Sequence, residues 1–457
     1  MMLGMQRAAL FVATLVVVCL AAHPVTAQVA EVTTPPPNLL VPNYDSVPVG
    51  PFGGLEGTAY AARVGDPSAA WFNPAGLVRL DTAQISGSAG VYEHTSVSPQ
   101  SLPNQGGSIQ QLPNYVGFTF KLRDDITVGA ALITTNSWNQ ETDAQLFTTV
   151  PTGQERFAYS ADSSFSQRVL AMSAGYRGTG GWRFGGGLAF SLVDLRLVQS
   201  ASDRIGDATG LQSLLVSSRI SGSALQLRSL VGAQYDMQDW RFGGAIRTPA
   251  LTVHRSGSIT LDGVLDAHAG SYGASLFDTN ARFEFHLPWE FQGGAAYVRD
   301  RYEIEADLLA HSPVNAYSLI STNASTLLYG SAGPNVPPSV IPQPFPGLTS
   351  ESNGVVNVGV GGHYRPIEDR DFRIHGGIGS SRSPVGDSDT VFSKVNLFTW
   401  TLGVSGTWNK FQFSAGFNHQ SGTANNITLR NLLNGATVNT SADVRTAGFI
   451  YSLAYQF

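Results

Sequence analysis

Five arginines alternate with apolar residues in segments whose pattern predicts strands: Arg241, Arg247, Arg282, Arg365 and Arg373. Successive side chains of a strand point to opposite faces, so Arg247 lies opposite Ile246 and Arg373 lies opposite Ile374. A guanidinium on a polar face can bind a carboxylate through charge-assisted hydrogen bonds. The alternative is a structural network with acids predicted on the same face, namely Glu284, Glu303, Glu305 and Asp307. The candidate ligand-binding arginines are Arg247, Arg282 and Arg365.

Other catalytic or metal-binding chemistry has little support in the sequence. There is no Gly-x-Ser-x-Gly elbow, phosphate loop or Cys/His zinc pattern, and residues 178–181 (GTGG) read as a hairpin turn. Six histidines lack metal-ligand spacing and are expected to be polar lumen or loop residues: His254, His286, His311, His363, His375 and His419. We therefore expect no enzyme activity, no cofactor and no metal.

The elements that carry these residues read as strands with one apolar face. In residues 115–122, Val116, Phe118 and Phe120 alternate with glycine and polar residues. In residues 445–457 (RTAGFIYSLAYQF) every second residue is aromatic or aliphatic, which places these side chains on one face of a strand, and only Ile450 departs from the pattern. A soluble protein would have to cover such a face, whereas a transmembrane barrel turns it toward lipid. Tyr455 and Phe457 are candidates for recognition by the barrel-assembly machinery, the alternative being burial in lipid.

The composition of the 457-residue chain agrees with many such strands. It has 50 glycines and 13% charged residues, its mean hydropathy is near zero, and its net charge of -6 disfavours nucleic-acid binding. We predict an all-β membrane protein, an antiparallel transmembrane β-barrel of about 14 strands.

Tight and long connections alternate along the predicted barrel. Residues 239–256 and 281–298 are predicted as barrel strands. Five connections are predicted as long loops: 138–164, 200–221, 257–280, 313–353 and 425–443. Short turns at one rim and long loops at the other are typical of membrane barrels.

The N-terminal residues read as an export signal. Arg7 precedes an apolar run, and small residues before Gln28 suit cleavage, so residues 1–27 are predicted to be a signal peptide, the alternative being a membrane anchor. Cleavage there would remove Cys19, the one cysteine. The expected location is the outer membrane of a Gram-negative-type bacterium.

Residues 28–80 differ from the barrel region at 81–457. Residues 28–52 are rich in proline and predict an extended leader. Residues 53–80 are small and polar apart from Trp71 and Phe72, and they predict helical turns and tight loops.

Residues 57–59 (GTA) and 65–77 (GDPSAAWFNPAGL) resemble the N-terminal signature of the FadL/TodX (OmpP1) outer-membrane transporters, which carry long-chain fatty acids or aromatic hydrocarbons. Weaker patches agree at 243–248 (GGAIRT), 287–289 (LPW), 374–378 (IHGGI) and 383–385 (SPV). The resemblance covers most of the chain after the leader.

The resemblance implies a 14-stranded barrel with an N-terminal plug, or hatch. An apolar ligand would enter from outside, bind within the barrel and leave through an opening in the wall. It implies a monomer embedded in outer-membrane lipid. Asp66, Asn73, Pro74, Ala75 and Gly76 would then belong to the hatch and its gating, the alternative being an ordinary turn.

Four apolar residues of the same region, Phe52, Leu55, Trp71 and Phe72, either touch the ligand or pack against the wall. The predicted function is passive uptake of hydrophobic molecules, with long-chain fatty acids ahead of aromatic hydrocarbons. A general hydrophilic porin, a barrel enzyme acting on lipid and an adhesin or assembly role are the alternatives.

Overall fold

The computed structural model describes residues 41–44, 46–99, 105–150, 153–207, 210–267, 270–331, 339–368, 370–430 and 437–457. The predicted signal peptide at 1–27 and most of the Pro-rich leader lie outside the described residues.

Most described residues are in strands, which are β1 (Gln84–Pro99), β2 (Gln105–Arg123), β3 (Ile126–Val150), β4 (Gly153–Arg177), β5 (Trp182–Asp207), β6 (Gly210–Met237), β7 (Trp240–Arg247), β8 (Leu251–Ala267), β9 (Gly270–Asp278), β10 (Arg282–Phe283), β11 (Glu290–Arg299), β12 (Tyr302–His311), β13 (Val314–Ser321), β14 (Ser325–Ser331), β15 (Ser339–Pro344), β16 (Leu348–Ser352), β17 (Val355–Tyr364), β18 (Phe372–Ser381), β19 (Val395–Trp408), β20 (Phe411–Arg430) and β21 (Thr437–Gln456). Short helices precede them: a 3-10 helix at Gly53–Leu55, α1 at Ala69–Phe72 and a 3-10 helix at Pro74–Arg79. Within the described ranges, no helix has the length and apolar character needed to cross a membrane.

A closed antiparallel barrel of 14 strands forms the body of the molecule, as the sequence predicted. Its circuit runs from β1 to β7, then through β11, β12 and β17 to β21. The circuit closes because β1 pairs with both β2 and β21. At this closure the amide of Phe457 donates to the carbonyl oxygen of Ala83 at 3.0 Å.

The outer face of the barrel carries the apolar parity of each strand. In β21, Phe449, Tyr451 and Leu453 are about half exposed, whereas Ile450 points inward and is 2% exposed. Exposed aromatic residues collect where strands end at short turns: Tyr176, Trp182, Trp240, Tyr302, Tyr364 and Trp408. This surface suits a lipid bilayer bounded by an aromatic girdle.

The two rims of the barrel differ, as predicted. Tight turns join β2 to β3, β6 to β7 and β19 to β20, and Gln238 and Asn409 adopt the left-handed backbone that such turns require. We call this edge the short-turn rim and the opposite edge the long-loop rim.

The predicted extent of the long loops is wrong. Residues 138–164 and 200–221 belong almost entirely to strands, since β3, β4, β5 and β6 continue far beyond the other barrel strands. Likewise, 257–280 is mostly the β8–β9 hairpin, much of 313–353 forms β13 to β16, and described parts of 425–443 extend β20 and β21. Runs of polar residues such as 139–143 (NQETD) interrupt the alternation and led to the prediction of loops.

Two predicted barrel strands were also too long. The predicted strand 239–256 divides at residues 248–250 into β7, which stays in the barrel, and β8, which pairs with the extended part of β6. Pro249 lies in this break and cannot donate a ladder hydrogen bond. The predicted strand 281–298 likewise divides into β10 and β11.

The long-loop rim is covered by packed apolar side chains. Phe165, Phe285 and Phe392 pack in tilted and edge-to-face arrangements with ring centroids 5.2 to 6.3 Å apart, and Trp138 and Phe283 join the same buried cluster. Among the described residues, packed apolar side chains therefore occupy this end of the lumen.

Candidate functional site

Residues 46–80, here called the N-terminal segment, lie inside the barrel. Nearly all of them are buried, including Leu55, Val64 and Leu77, each at 0% exposure. Tyr60, Phe72 and Trp71 pack with wall residues such as Ile133 in one apolar cluster. The segment thus fills the lumen that a 14-stranded wall encloses.

Glycines of the barrel wall allow the backbone of the segment to approach closely. A Cβ added to Gly361 would lie 1.9 Å from the carbonyl oxygen of Glu56, and one added to Gly377 would lie 2.2 Å from its carbonyl carbon. Real Cβ atoms do not come this close to backbone. The glycine-rich strands β17 and β18 therefore form the flat wall against which residues 56 and 57 rest.

We expect Gly361→Ala to displace the N-terminal segment, because the added methyl group has no space beside Glu56. The expected cost is about 1–3 kcal/mol, the usual range for overpacking. Hydrogen exchange of residues 53–64 should become faster. Gly293→Ala is the matched control, since an added Cβ at Gly293 meets nothing within 4 Å; equal exchange in both variants would contradict this account.

Arg63 is the central cation of the segment. Its Nη2 lies 2.5 Å from Glu56 Oε2, its Nε lies 2.8 Å from Glu305 Oε2, and its Nη1 lies 3.5 Å from a carboxylate oxygen of Glu303. Both Arg63 and Glu305 are buried. The guanidinium therefore ties the segment to β12 through charges that water does not screen.

Two carboxylates of β12 also bind backbone amides of the segment. Asp307 Oδ2 accepts hydrogen bonds from the amides of Tyr60 and Ala61, each at 3.0 Å, and Glu305 Oε1 accepts one from Ala62 at 2.6 Å. Glu303, Glu305 and Asp307 thus face the lumen, and they hold the N-terminal segment in place.

Two histidines complete the surroundings of Glu56. The Nδ1 atoms of His363 and His375 lie 3.0 and 2.7 Å from Glu56 Oε1. Burial alone would raise the pKa of Glu56, but Arg63 and the two imidazoles hold it well below its usual value.

Sequence spacing did not reveal the group formed by Glu56, His363 and His375. One carboxylate oxygen and one imidazole nitrogen of each histidine, the atoms that could coordinate a metal ion, lie within 4.8 Å of one another. Each Nδ1 is in hydrogen-bond contact with the carboxylate, which also holds Arg63. Because these atoms already satisfy one another beside a guanidinium, the geometry is that of a hydrogen-bonded anchor.

The predicted hatch residues 73–76 lie at the opposite side of the lumen. Asn73 Nδ2 donates to the carbonyl oxygens of Ala61 and Ala233, each at 3.0 Å, and its Oδ1 accepts from the amide of Ala75. Pro74 and Gly76 lie beside it in close contact with the wall and with Val64. Asp66 accepts from the amide of Ser68 at 2.7 Å and from the hydroxyl of Tyr60.

A narrow cavity, with room for the centres of water-sized spheres over about 50 Å³, lies between the segment and the wall. Its lining crosses five neighbouring barrel strands, from Arg247 on β7 through Gln292, Asp307 and Asn357 to Ser381 on β18. With strands about 4.8 Å apart, this is a span of roughly 20 Å. Trp71, Phe72 and Thr58 of the N-terminal segment face the same space, which has both apolar and polar walls.

Solved structures of other proteins share the fold of this chain. A Pseudomonas aeruginosa FadL homologue superposes with a TM-score of 0.56 at 12% identity, over 93% of this chain and all of that one. The Pseudomonas putida toluene transporter TodX superposes with a TM-score of 0.57 at 13% identity, over 91% of this chain and 99% of that one. The chain has the FadL/TodX fold.

A third structure, the Ralstonia pickettii toluene transporter TbuX, gives a TM-score of 0.52 at 15% identity, over 90% of this chain and 99% of that one. No protein-family model and no curated protein sequence matches the chain. At such low identity the comparisons establish the FadL/TodX fold, and the resemblance read from residues 57–77 is confirmed at that level.

The four apolar residues of the N-terminal segment that were candidates for ligand contact have different surroundings in this FadL/TodX fold: two line the cavity and two pack against the barrel wall. Trp71 and Phe72 line the cavity. Phe52 stacks on His375 with centroids 5.2 Å apart, and Leu55 packs against Gly403 and Gly416. Contact with the wall is therefore the observed role of Phe52 and Leu55.

The three candidate arginines have different surroundings. Arg247 lines the cavity, lies over the ring of Trp71 at 4.0 Å, donates to the Trp71 carbonyl oxygen at 2.7 Å and pairs with Glu290. Arg282 lies on β10, outside the barrel circuit, where its exposed side chain pairs with Glu284. The prediction that Arg282 points into the lumen from a barrel strand is wrong, because the strand 281–298 divides before residue 290.

Arg365 follows β17 at the short-turn rim, 4.0 Å from Asp371. It lies at the opposite end of β17 from the cavity-lining residue Asn357. Of the three, only Arg247 contributes to the cavity.

Sequence reasoning missed Glu56, Arg63 and Thr58. Arg63 is the one basic residue between positions 41 and 78, and a lone cation in a run of small residues signals a buried ion pair. Glu303 and Glu305 were predicted to pair with barrel arginines; Arg241 does lie 3.9 Å from Glu303, but Arg63 of the N-terminal segment pairs with both acids.

Proposed function

We propose that this protein is an outer-membrane channel for the passive uptake of hydrophobic small molecules, with long-chain fatty acids as the first candidate. The observation that carries the proposal is the cavity between the N-terminal segment and the wall. The segment acts as the hatch, and residues 66 and 73–76 belong to the hatch and its gating. The FadL homologue and the toluene transporters supply a precedent through the shared fold.

The shape of the lumen favours an apolar ligand over free aqueous flow. A hatch fills the barrel, and an aromatic cluster covers the long-loop rim. An acyl chain that moves from one apolar surface to another avoids the cost of exposure to water, about 25 cal/mol per Å². A hydrophilic porin would instead need a continuous polar passage.

The lining of the cavity favours an amphipathic ligand over a pure hydrocarbon. Val47, Trp71 and Leu309 supply apolar contacts, whereas Gln292 and Asn357 supply hydrogen-bonding groups. Arg247 offers positive charge at one end, although Glu290 already pairs with it. An aromatic hydrocarbon would use only the apolar part, so it is the second candidate.

Filling the cavity tests the proposal. Leu309 lines it, whereas its neighbour Leu308 points to the outside and is 56% exposed. We expect Leu309→Trp to weaken oleate binding about tenfold or more, equivalent to about 1.4 kcal/mol. Binding would be measured by titration of the detergent-purified, delipidated protein.

Leu308→Trp is the matched control, because it adds the same indole to the lipid-facing side of the same strand. It should bind oleate as the unchanged protein does. Equal affinity in the two tryptophan variants would place the ligand elsewhere, and no binding by the unchanged protein would refute the proposed function.

A further inference from the structure

Three side chains near the short-turn rim bring metal-binding atoms together inside the barrel. Glu56 of the N-terminal segment presents Oε1 to the Nδ1 atoms of His363 on β17 and His375 on β18, at 3.0 and 2.7 Å. In the described ranges this is the one group of three acidic, histidine or cysteine side chains with ligand atoms this close together, and all three residues are buried.

The donor atoms of the group suit a transition metal. Two imidazole nitrogens and one carboxylate oxygen match Zn²⁺ and its neighbours better than Mg²⁺ or Ca²⁺, which prefer oxygen ligands. Glu56 is ionised, since its other oxygen, Oε2, lies 2.5 Å from the guanidinium of Arg63. A carboxylate held by Arg63 through one oxygen keeps the second oxygen for another cation. Three protein ligands leave a fourth position for water.

The second nitrogen of each imidazole also has a polar neighbour, as metal-binding histidines require. His375 Nε2 lies 2.7 Å from Ser405 Oγ, and His363 Nε2 lies 4.0 Å from Glu303 Oε1. In the hydrogen-bonded anchor, Nδ1 of a neutral His375 donates to Glu56, and the Ser405 hydroxyl donates to Nε2. With the hydrogen on Nε2 instead, Ser405 accepts and the Nδ1 lone pair is free for a metal. The anchor can therefore become a metal site while His375 stays neutral.

The charges around the group favour an added cation. Four acids lie in it or beside it on β12: Glu56, Glu303, Glu305 and Asp307. Arg63 pairs with three of them, and Arg241 lies 3.9 Å from Glu303. Arg373, on the rim side, pairs with Asp371 at 2.8 Å. Because these carboxylates outnumber the guanidiniums that contact them, they offset the repulsion between Arg63 and a divalent ion.

Polar side chains connect the group to the short-turn rim. His363 and His375 form the second pair of the β17–β18 ladder, counted from that rim. Glu303 and Arg241 lie beside them with 24% and 27% of their side-chain surface exposed. A hydrated ion can therefore approach from the rim along charged side chains, without crossing the apolar cluster that fills the lumen.

We propose that Glu56, His363 and His375 bind one divalent transition-metal ion of the zinc class. The bound ion joins the N-terminal segment to β17 and β18, in addition to the ion pairs that Arg63 makes with β12. Because a metal that binds only the assembled site stabilises it, the ion fastens the segment to the wall. The proposal does not depend on which molecule the channel carries.

Zinc titration of the purified protein tests the proposal. Protein made without a polyhistidine tag and stripped with a chelator would be titrated by calorimetry, and its bound zinc would be counted by elemental analysis. We expect one zinc per chain. Ser405→Ala should weaken binding about tenfold, the usual effect of losing an outer-shell partner. His363→Gln and His375→Gln, which each remove a ligand, should weaken it more.

His286→Gln is the matched control. His286 Nε2 also lies near a carboxylate, 3.6 Å from Glu284, but its side chain is 44% exposed. Zinc affinity should therefore not change in this variant. No saturable zinc binding by the unchanged protein would overturn the proposal. Equal affinity in His363→Gln, His375→Gln and the unchanged protein would also overturn it, because the zinc would then lie elsewhere.

Electron paramagnetic resonance of the Cu²⁺-loaded protein identifies the ligands directly. Cu²⁺ binds such donors more tightly than Zn²⁺ does. We expect splitting from two imidazole nitrogens in the unchanged protein and from one in His363→Gln or His375→Gln. Loosening of the hydrogen-bonded anchor alone would not change this splitting. A spectrum without imidazole nitrogens in the unchanged protein would contradict the proposed ligands.

Hydrogen exchange shows what the ion does to the N-terminal segment. Free Zn²⁺ at about ten times its Kd should slow the exchange of residues 53–64 about tenfold, because the ion binds only the closed site. The same concentration of Mg²⁺ should have no effect. Unchanged exchange in zinc-loaded protein would refute the fastening role. Oleate binding is measured separately, so failure of the metal site leaves the proposed function intact.

Discussion

Arg63→Met is expected to release the N-terminal segment from the barrel wall. Methionine keeps much of the side-chain volume but removes the guanidinium that contacts Glu56 and Glu305. Both carboxylates would then be buried without their cation, which typically costs about 3–5 kcal/mol. Faster proteolysis of residues 46–80 and new steady conductance in planar bilayers would report the release.

Arg123→Met is the control for that experiment. Arg123 pairs with Asp125 at 2.7 Å, but both lie in an exposed turn at the short-turn rim. Exposed ion pairs contribute little to stability, so proteolysis and conductance should match the unchanged protein. The account would be contradicted if Arg63→Met behaved in the same way.

Deletion of residues 28–76 is expected to convert the protein into an open channel. The deleted residues include most of the apolar cluster that fills the lumen and the residues that line one side of the cavity. A barrel of this size without its plug encloses enough space for water and ions. Single-channel recording should show large steady conductance, and oleate binding should fall at least about tenfold.

Intact protein is the reference for the deletion. It should conduct weakly, because the hatch and the aromatic cluster at the long-loop rim occupy the lumen. Large steady conductance in the intact protein would support the porin alternative. A deletion variant with unchanged conductance and unchanged oleate binding would refute the role of the hatch.

The barrel could be predicted from the sequence because lipid replaces a second protein layer. Each barrel strand then shows an alternation of apolar and polar residues that can be recognised in its own sequence, as Phe118 and Phe120 in β2 or Phe449 and Tyr451 in β21 illustrate. Residues 138–164 lack that evidence, since their hairpin extends beyond the apolar belt and its sequence contains polar runs such as residues 139–143 (NQETD). Pro249 ends β7, but the alternation continues into β8 and hid the break.

The site was predicted less completely because it depends on contacts between distant parts of the chain. The signature at 65–77 located the plug, and residue parity placed Arg247, Glu305 and Asp307 in the lumen. Neither pattern could show that Arg63 would meet Glu305, or that His363 and His375 would both meet Glu56.

The central claim is that the barrel binds an apolar ligand in a closed lumen, and the most direct test is equilibrium binding by the unmodified, delipidated protein. The panel comprises oleate, the alcohol of the same chain length, and toluene. We predict saturable oleate binding, because the apolar wall of the cavity can hold the acyl chain while Gln292 and Asn357 offer hydrogen bonds to its polar end. Saturable binding of toluene alone would change the substrate class, and binding of none of the three would contradict the account.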